Sequence, residues 1–103
     1  MKYEIPQDRL DKIIFKYLDF NLKGLEKRKA IYYKGIIFAY PDKKYGILGW
    51  ENDGTLYILD KLIDEIYDWF SLERNESKEL IGRWVSDRFQ LEVKNIIIAS
   101  LFL

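Results

Sequence analysis

Residues 35–59 hold three short apolar runs separated by two turn signals, a pattern that confines the middle of the chain to an antiparallel meander. The runs are Gly35–Tyr40 (GIIFAY), Tyr45–Glu51 (YGILGWE) and Thr55–Leu59 (TLYIL). Pro41-Asp42-Lys43-Lys44 joins the first two: proline pre-sets φ for the second position of a type I turn, and aspartate bonds nearby backbone. Asp53-Gly54, between Asn52 and Thr55, reads as a two-residue type I′ hairpin, whose central positions both need positive φ. Pairing Asn52 with Thr55 sets Trp50 opposite Tyr57 and Leu48 opposite Leu59, and a four-residue first loop sets Tyr40 opposite Tyr45 and Phe38 opposite Ile47. On this register one face carries Ile36, Phe38, Ile47, Leu56 and Ile58, and the other Ile37, Ala39, Leu48, Trp50, Tyr57 and Leu59. Both faces are apolar, whereas an antiparallel sheet with one wet face alternates. The second face therefore requires a cover: more helix, a second copy or a ligand.

Helical spacing brackets the meander. Leu10, Ile13, Ile14, Tyr17 and Leu18 recur on one stripe between Pro6 and Leu22, with Pro6 at a first helical position and Asp8 and Asp11 near the positive end of the dipole. Glu26-Lys27-Arg28-Lys29 then reads as a solvated connection or a short extra turn. Past Leu59, a helix over Asp60–Ser71 turns Leu62, Ile63, Ile66, Trp69 and Phe70 inward, with Asp60 as its cap. A helix over Glu76–Phe89, capped by Asn75, places Leu80, Ile81, Trp84, Val85 and Phe89 on one stripe and leaves Glu79, Arg83 and Asp87 outside as i,i+4 ion pairs. Leu91–Leu103 (LEVKNIIIASLFL) begins as an alternating strand and is mostly apolar after Asn95, as in a strand buried on both sides or held in a subunit interface. The expected fold is α+β. It is a single domain over residues 1–103 in the order α-β-β-β-α-α-β, with an antiparallel sheet of about four strands and helices packed on it.

The 103 residues include no histidine and no cysteine. Histidine is the side chain that changes charge near neutral pH, and cysteine is the readiest thiolate, so most familiar catalytic and zinc-site chemistry is closed off. The four serines, Ser71, Ser77, Ser86 and Ser100, have no histidine base and no strained-elbow context. The expectation is a non-catalytic protein with no catalytic residue, no metal site and no cofactor. Apolar residues at 49% and aromatics at 17% supply a core that needs neither disulfide nor metal. The start MKYEIPQDRL lacks the apolar stretch of a signal peptide and no segment is long enough to span a bilayer, so a cytoplasmic location without membrane contact is expected. Twelve lysines against five arginines suggest an AT-rich genome, bacterial or phage.

Formal charge is balanced overall but not along the chain: residues 1–50 hold 11 basic and 6 acidic side chains, and residues 51–103 hold 6 and 11. Such a split orients self-association unless folding interleaves the halves. Two surfaces compete as the functional one. The first is an interface built on Trp50, Tyr57, Leu48, Ile98 and Phe102, where opposed aromatics and an apolar terminal strand would meet a second copy in a homodimer, or another protein. The second is a basic, tyrosine-rich segment comprising Lys27, Arg28, Lys29, Tyr32, Tyr33, Lys34, Lys43 and Lys44, the parts list for single-stranded nucleic acid: cations for phosphates and aromatic planes for bases. Asp60, Asp64 and Asp68 form a carboxylate ladder at i, i+4, i+8, which a cation or carboxylate-based catalysis could use but which a solvated helix face explains better. Gly46-Ile47-Leu48-Gly49 matches a bare GxxG, but its apolar middle and strand context point to close packing rather than to an RNA-binding loop. The sequence thus favours a small self-associating assembly module, with nucleic-acid binding through residues 23–45 as the alternative.

Overall fold

The computed structural model describes residues 7–30 and 33–100. Its elements run α1 (Gln7–Asn21), β1 (Glu26–Lys29), β2 (Gly35–Ala39), β3 (Leu48–Glu51), β4 (Thr55–Leu59), α2 (Asp60–Phe70), α3 (Arg74–Phe89) and β5 (Asn95–Ala99). The strands form one five-stranded sheet in chain order, β1-β2-β3-β4-β5. The first four are antiparallel to their neighbours, and β5 lies parallel to β4. The architecture is α+β, as the sequence implies, with a mixed sheet and one more strand than expected.

The additional strand is β1, EKRK, which the sequence presents as a connection because it has no apolar alternation. Hydrogen bonding rather than burial defines it: Glu26 pairs with Ala39 and Lys29 with Ile36. A lysine-rich edge strand is a common way to keep a sheet from pairing onward.

Both hairpins differ from the expected register by one residue. Trp50 stands opposite Leu56 rather than Tyr57, Leu48 opposite Ile58, and Phe38 opposite Leu48 rather than Ile47. At the second turn only Gly54 has positive φ, at 98°, and its N–H donates to Glu51 O at 2.9 Å. The loop is therefore the three-residue Asn52-Asp53-Gly54, a type I turn closed by a glycine bulge, in place of a type I′ turn. Asp53 Oδ1 accepts from Thr55 N at 2.9 Å and braces it. The two slips cancel between β2 and β4, so only β3 is turned over. Trp50 and Leu48 now share a face with Ile36, Phe38, Leu56, Ile58, Ile96 and Ile98.

That face carries the core. Phe38, Leu48, Leu56 and Ile58 are fully buried together with Ile14 and Leu18 of α1, Ile63 and Ile66 of α2, and Leu80, Ile81, Trp84 and Val85 of α3. The opposite face presents Gly35, Ile37, Ala39, Gly49, Glu51, Thr55, Tyr57, Leu59, Asn95, Ile97 and Ala99, and none of its side chains joins the helix-packed core. Turning β3 over has replaced Leu48 and Trp50 there with Gly49 and Glu51, so this face is smaller and more polar than the sequence suggests. Trp69, which the helical spacing predicts to point inward in α2, is 72% exposed. The buried stripe runs through Leu62, Ile63, Ile66 and half-buried Phe70, and Trp69 falls beside it.

Helix α3 explains the parallel last strand. Gly82 lies against Ile96 of β5, where a Cβ would come 2.7 Å from Ile96 Cδ1 and push it aside, while Phe89 packs tilted on Phe38 of β2 with centroids 4.5 Å apart. The helix thus carries the chain across the sheet. Gln90, in the left-handed region at φ 57°, ends it. The return segment passes Trp50, whose indole N–H donates to Glu92 O at 3.0 Å, and reaches Gly54 O through Lys94 N at 2.8 Å. β5 therefore starts beside the start of β4 and runs with it. Among the described residues no helix is long and apolar enough to cross a membrane.

Candidate functional site

The loop between β2 and β3 closes one end of the sheet, and an arginine shapes it. Arg28 of β1 donates Nη1–H to Lys43 O at 2.6 Å, Nη2–H to Tyr40 O at 2.9 Å and to Pro41 O at 3.3 Å, and Nε–H to Glu26 Oε1 at 3.0 Å. A planar fork is suited to gathering several carbonyls at once. Inside the same loop Gly46 sits against Ile37, where a Cβ would come 2.3 Å from Ile37 Cγ2, and the Tyr40 hydroxyl donates to Asn21 O. With its carbonyls drawn to Arg28, the turn leaves Lys43, Lys44 and Tyr45 exposed.

These side chains border an open hollow of about 420 Å³ that Lys61 reaches from the first turn of α2, over a floor of Ile47 and Leu59. A smaller recess of about 240 Å³ adjoins it, sharing Tyr40, Ile47, Leu59 and Lys61 and adding Glu65. Among the described residues none of the three ammonium groups is in an ion pair. Lys44 lies over the Tyr45 ring, Nζ to centroid 5.6 Å. Sequence reading misses Lys61, since only the fold brings the helix start beside a turn so far back in the chain.

The basic segment does not form one stripe. Lys43 and Lys44 stand at the hollow, whereas Lys29, Tyr33 and Lys34 line a separate depression of about 540 Å³ beside Asn52, at the other end of β2. The five residues of β2 put roughly 17 Å between the two groups. Lys27 is turned toward the helices, with Nζ 5.9 Å from the Phe89 ring centroid, and Arg28 is committed to the turn. Tyr32 lies outside the described residues. Tyr33 packs its ring on Tyr57, centroids 5.5 Å apart, and its hydroxyl is buried without a hydrogen-bond partner among the described residues. Burial, then the Tyr57 and Glu51 neighbours, pushes its pKa up to about 12.

The expected interface set is also divided. Leu48 is fully buried in the core, Trp50 packs against that core while bonding Glu92 O, and Ile98 is half-buried on the same face. Tyr57 alone lies on the helix-free face, its hydroxyl donating to Glu51 Oε1 at 3.0 Å. The expected Trp50–Tyr57 platform is therefore not formed, because the one-residue turn difference puts the two rings on opposite sides of the sheet. Phe102 lies outside the described residues. Ile97, not singled out by sequence, is the 48%-exposed apolar residue of β5 on the helix-free face.

The remaining motifs resolve as local structure. Asp64 faces Arg74 at 3.7 Å, and among the described residues no three acidic groups converge as metal ligands would. Arg83 reaches Asp11 of α1 at 3.0 Å instead of pairing along α3. Gly46 belongs to the loop and Gly49 to β3, and Ser77 Oγ bonds Leu72 O at 3.2 Å between the helices. Comparison with protein-family models, curated proteins and solved structures gives no match, so a functional reading rests on this geometry.

Proposed function

We propose that the protein is a non-catalytic assembly module that pairs with a second copy of itself along the outer edge of β5. The observation that carries this is the contrast between the two edges of the sheet. β1, EKRK, is charged and short, the usual protection of an exposed ladder, whereas β5, NIIIA, has no charge and no proline. Among the described strands nothing pairs with its outer side.

A two-fold antiparallel pairing centred on Ile97 would bring the two Ile97 side chains together on the helix-free face and set Ile96 against Ile98 of the other copy on the core face. Two five-stranded sheets would become one continuous sheet, and a closed dimer removes the free edge. Solution mass tests this. The wild type is expected at twice 12.4 kDa across micromolar concentrations, and Ile97→Lys, which opposes two like charges at the centre of the pairing, at the single mass. A wild type that stays at 12.4 kDa at every concentration rejects the reading.

A further inference from the structure

We infer that the hollow at the β2–β3 loop binds a nucleoside phosphate unit, with its phosphate among Lys43, Lys44 and Lys61 and its base against Tyr45. This does not depend on self-association, since it involves the loop end of the sheet rather than the β5 edge.

Three lines converge on this ligand class. Three lysines from two separate elements line one concavity, and none is in an ion pair among the described residues. Lysines gathered on one concavity raise the local positive potential, and an anion that enters is attracted to it. The hollow also borders the start of α2, where Leu59 occupies the cap position and makes no side-chain cap bond. The first-turn N–H groups of α2 thus lack a capping side chain, and the positive end of the helix adds to the lysines, with Asp60 the one acidic residue of that turn. The ligand is more than a bare anion because the same space has an aromatic wall and an aliphatic floor. Tyr45 is 41% exposed, beside Ile47 and Leu59, and a volume of about 420 Å³ exceeds what one phosphate needs and falls in the range of small-ligand sites. The carboxylate of Glu65 stands in the adjoining recess and disfavours phosphate there, leaving the lysine side for the charge.

The unit could come as a free mononucleotide or as one position in a single strand, and both present the same chemistry. The test titrates the full chain at low salt with adenosine monophosphate, a short single-stranded oligothymidylate and inorganic phosphate, following amide shifts and heat of binding. Lys44→Glu and Lys61→Glu, both exposed, are expected to weaken nucleotide binding roughly tenfold each, and Lys44→Gln should lower the slope of log K against log salt by about one for the strand. Lys16→Glu, an exposed lysine on α1, should change neither. Tyr45→Leu should weaken both nucleotide ligands while leaving inorganic phosphate unchanged. Saturable binding of the mononucleotide with this variant pattern identifies the free ligand as sufficient; binding of the strand alone, with the same pattern, identifies a strand position. Absence of binding by both ligands, equal loss in Lys16→Glu, or indifference to Tyr45→Leu overturns the inference. The mass of each variant, read in parallel, reports separately on the β5 edge.

Discussion

Asp19 shows how much of this fold is fastened by single residues. Its carboxylate accepts from Trp84 Nε1–H at 2.8 Å and from Arg88 Nε–H and Nη2–H at 2.6 and 2.7 Å, tying α1 to α3. The Arg88 hydrogen bond first, with Trp84 adding to it against a partial opposing burial effect, holds its pKa below the ordinary carboxylate value. A depressed folded pKa means the unfolded chain binds the proton more readily, so this contribution is present above the unfolded pKa and is lost as pH falls through the folded one. Asp19→Asn is accordingly expected to flatten the decline of the urea midpoint below about pH 4. Tyr33 acts at the other end of the scale. Its phenol is raised from 10.0 to about 12, so stability present below pH 10.0 is lost as pH rises toward 12, and absorbance titration should show a tyrosine ionising late. Because its buried hydroxyl has no partner among the described residues, Tyr33→Phe should leave the urea midpoint unchanged or raise stability by up to about 1 kcal/mol, while removing one tyrosine from the late part of a titration to which Tyr17, Tyr40 and Tyr57, also raised, contribute.

At the level of elements, the chain announced most of its secondary structure. The stripe of α3 has Leu80, Ile81, Trp84 and Val85 buried and Phe89 half-buried, although the helix starts at Arg74 with Glu73 rather than Asn75 at its cap, and β4 has the limits its turn signals imply. What it did not announce was the facing of β3. A type I turn with a glycine bulge and a type I′ turn both use Asp-Gly, differ by one loop residue, and put opposite sets of side chains inward. β1 was hidden for another reason: an edge strand of charged residues has no apolar period to read. Two helix ends invite a measurement. Ser71 at φ 54° and Gln90 at φ 57° occupy left-handed C-terminal positions that glycine takes without strain, so Ser71→Gly and Gln90→Gly should each raise the unfolding free energy from urea titration by roughly 1 kcal/mol. Gly35 is the converse. A Cβ there would stand 1.9 Å from Trp50 O, which is backbone and cannot yield, so Gly35→Ala should lose more than about 2 kcal/mol in the same assay.

Over the whole molecule, ion pairs cross between the basic and acidic halves of the chain. Asp11 and Asp19 from the basic half pair with Arg83 and Arg88 from the acidic half, so the cross-links run against the average sign of each segment. The candidate sites were legible only in pieces. Lys43, Lys44 and Tyr45 could be named from composition, but their meeting with Lys61 depends on β4 ending beside the β2–β3 loop, a fact of topology. The choice of β5 over the aromatic pair as the edge to test likewise depends on knowing which strands lie at the margins. Both proposed surfaces should be separable by salt: binding at the lysine hollow should fall steeply as ionic strength rises, while apolar pairing at β5 should hold or tighten.

The placement of the last strand has a consequence during synthesis. Residues 26–59 can pair with near neighbours as they emerge, but β5 joins β4 only after α2, α3 and the return past Trp50 are in place. Until residue 99 has left the ribosome, β4 is itself the open margin of a partial sheet and the underside of Leu56 and Ile58 lacks its final neighbours. A nascent chain stalled before that point would expose to chaperones and proteases a ladder that the finished protein never presents.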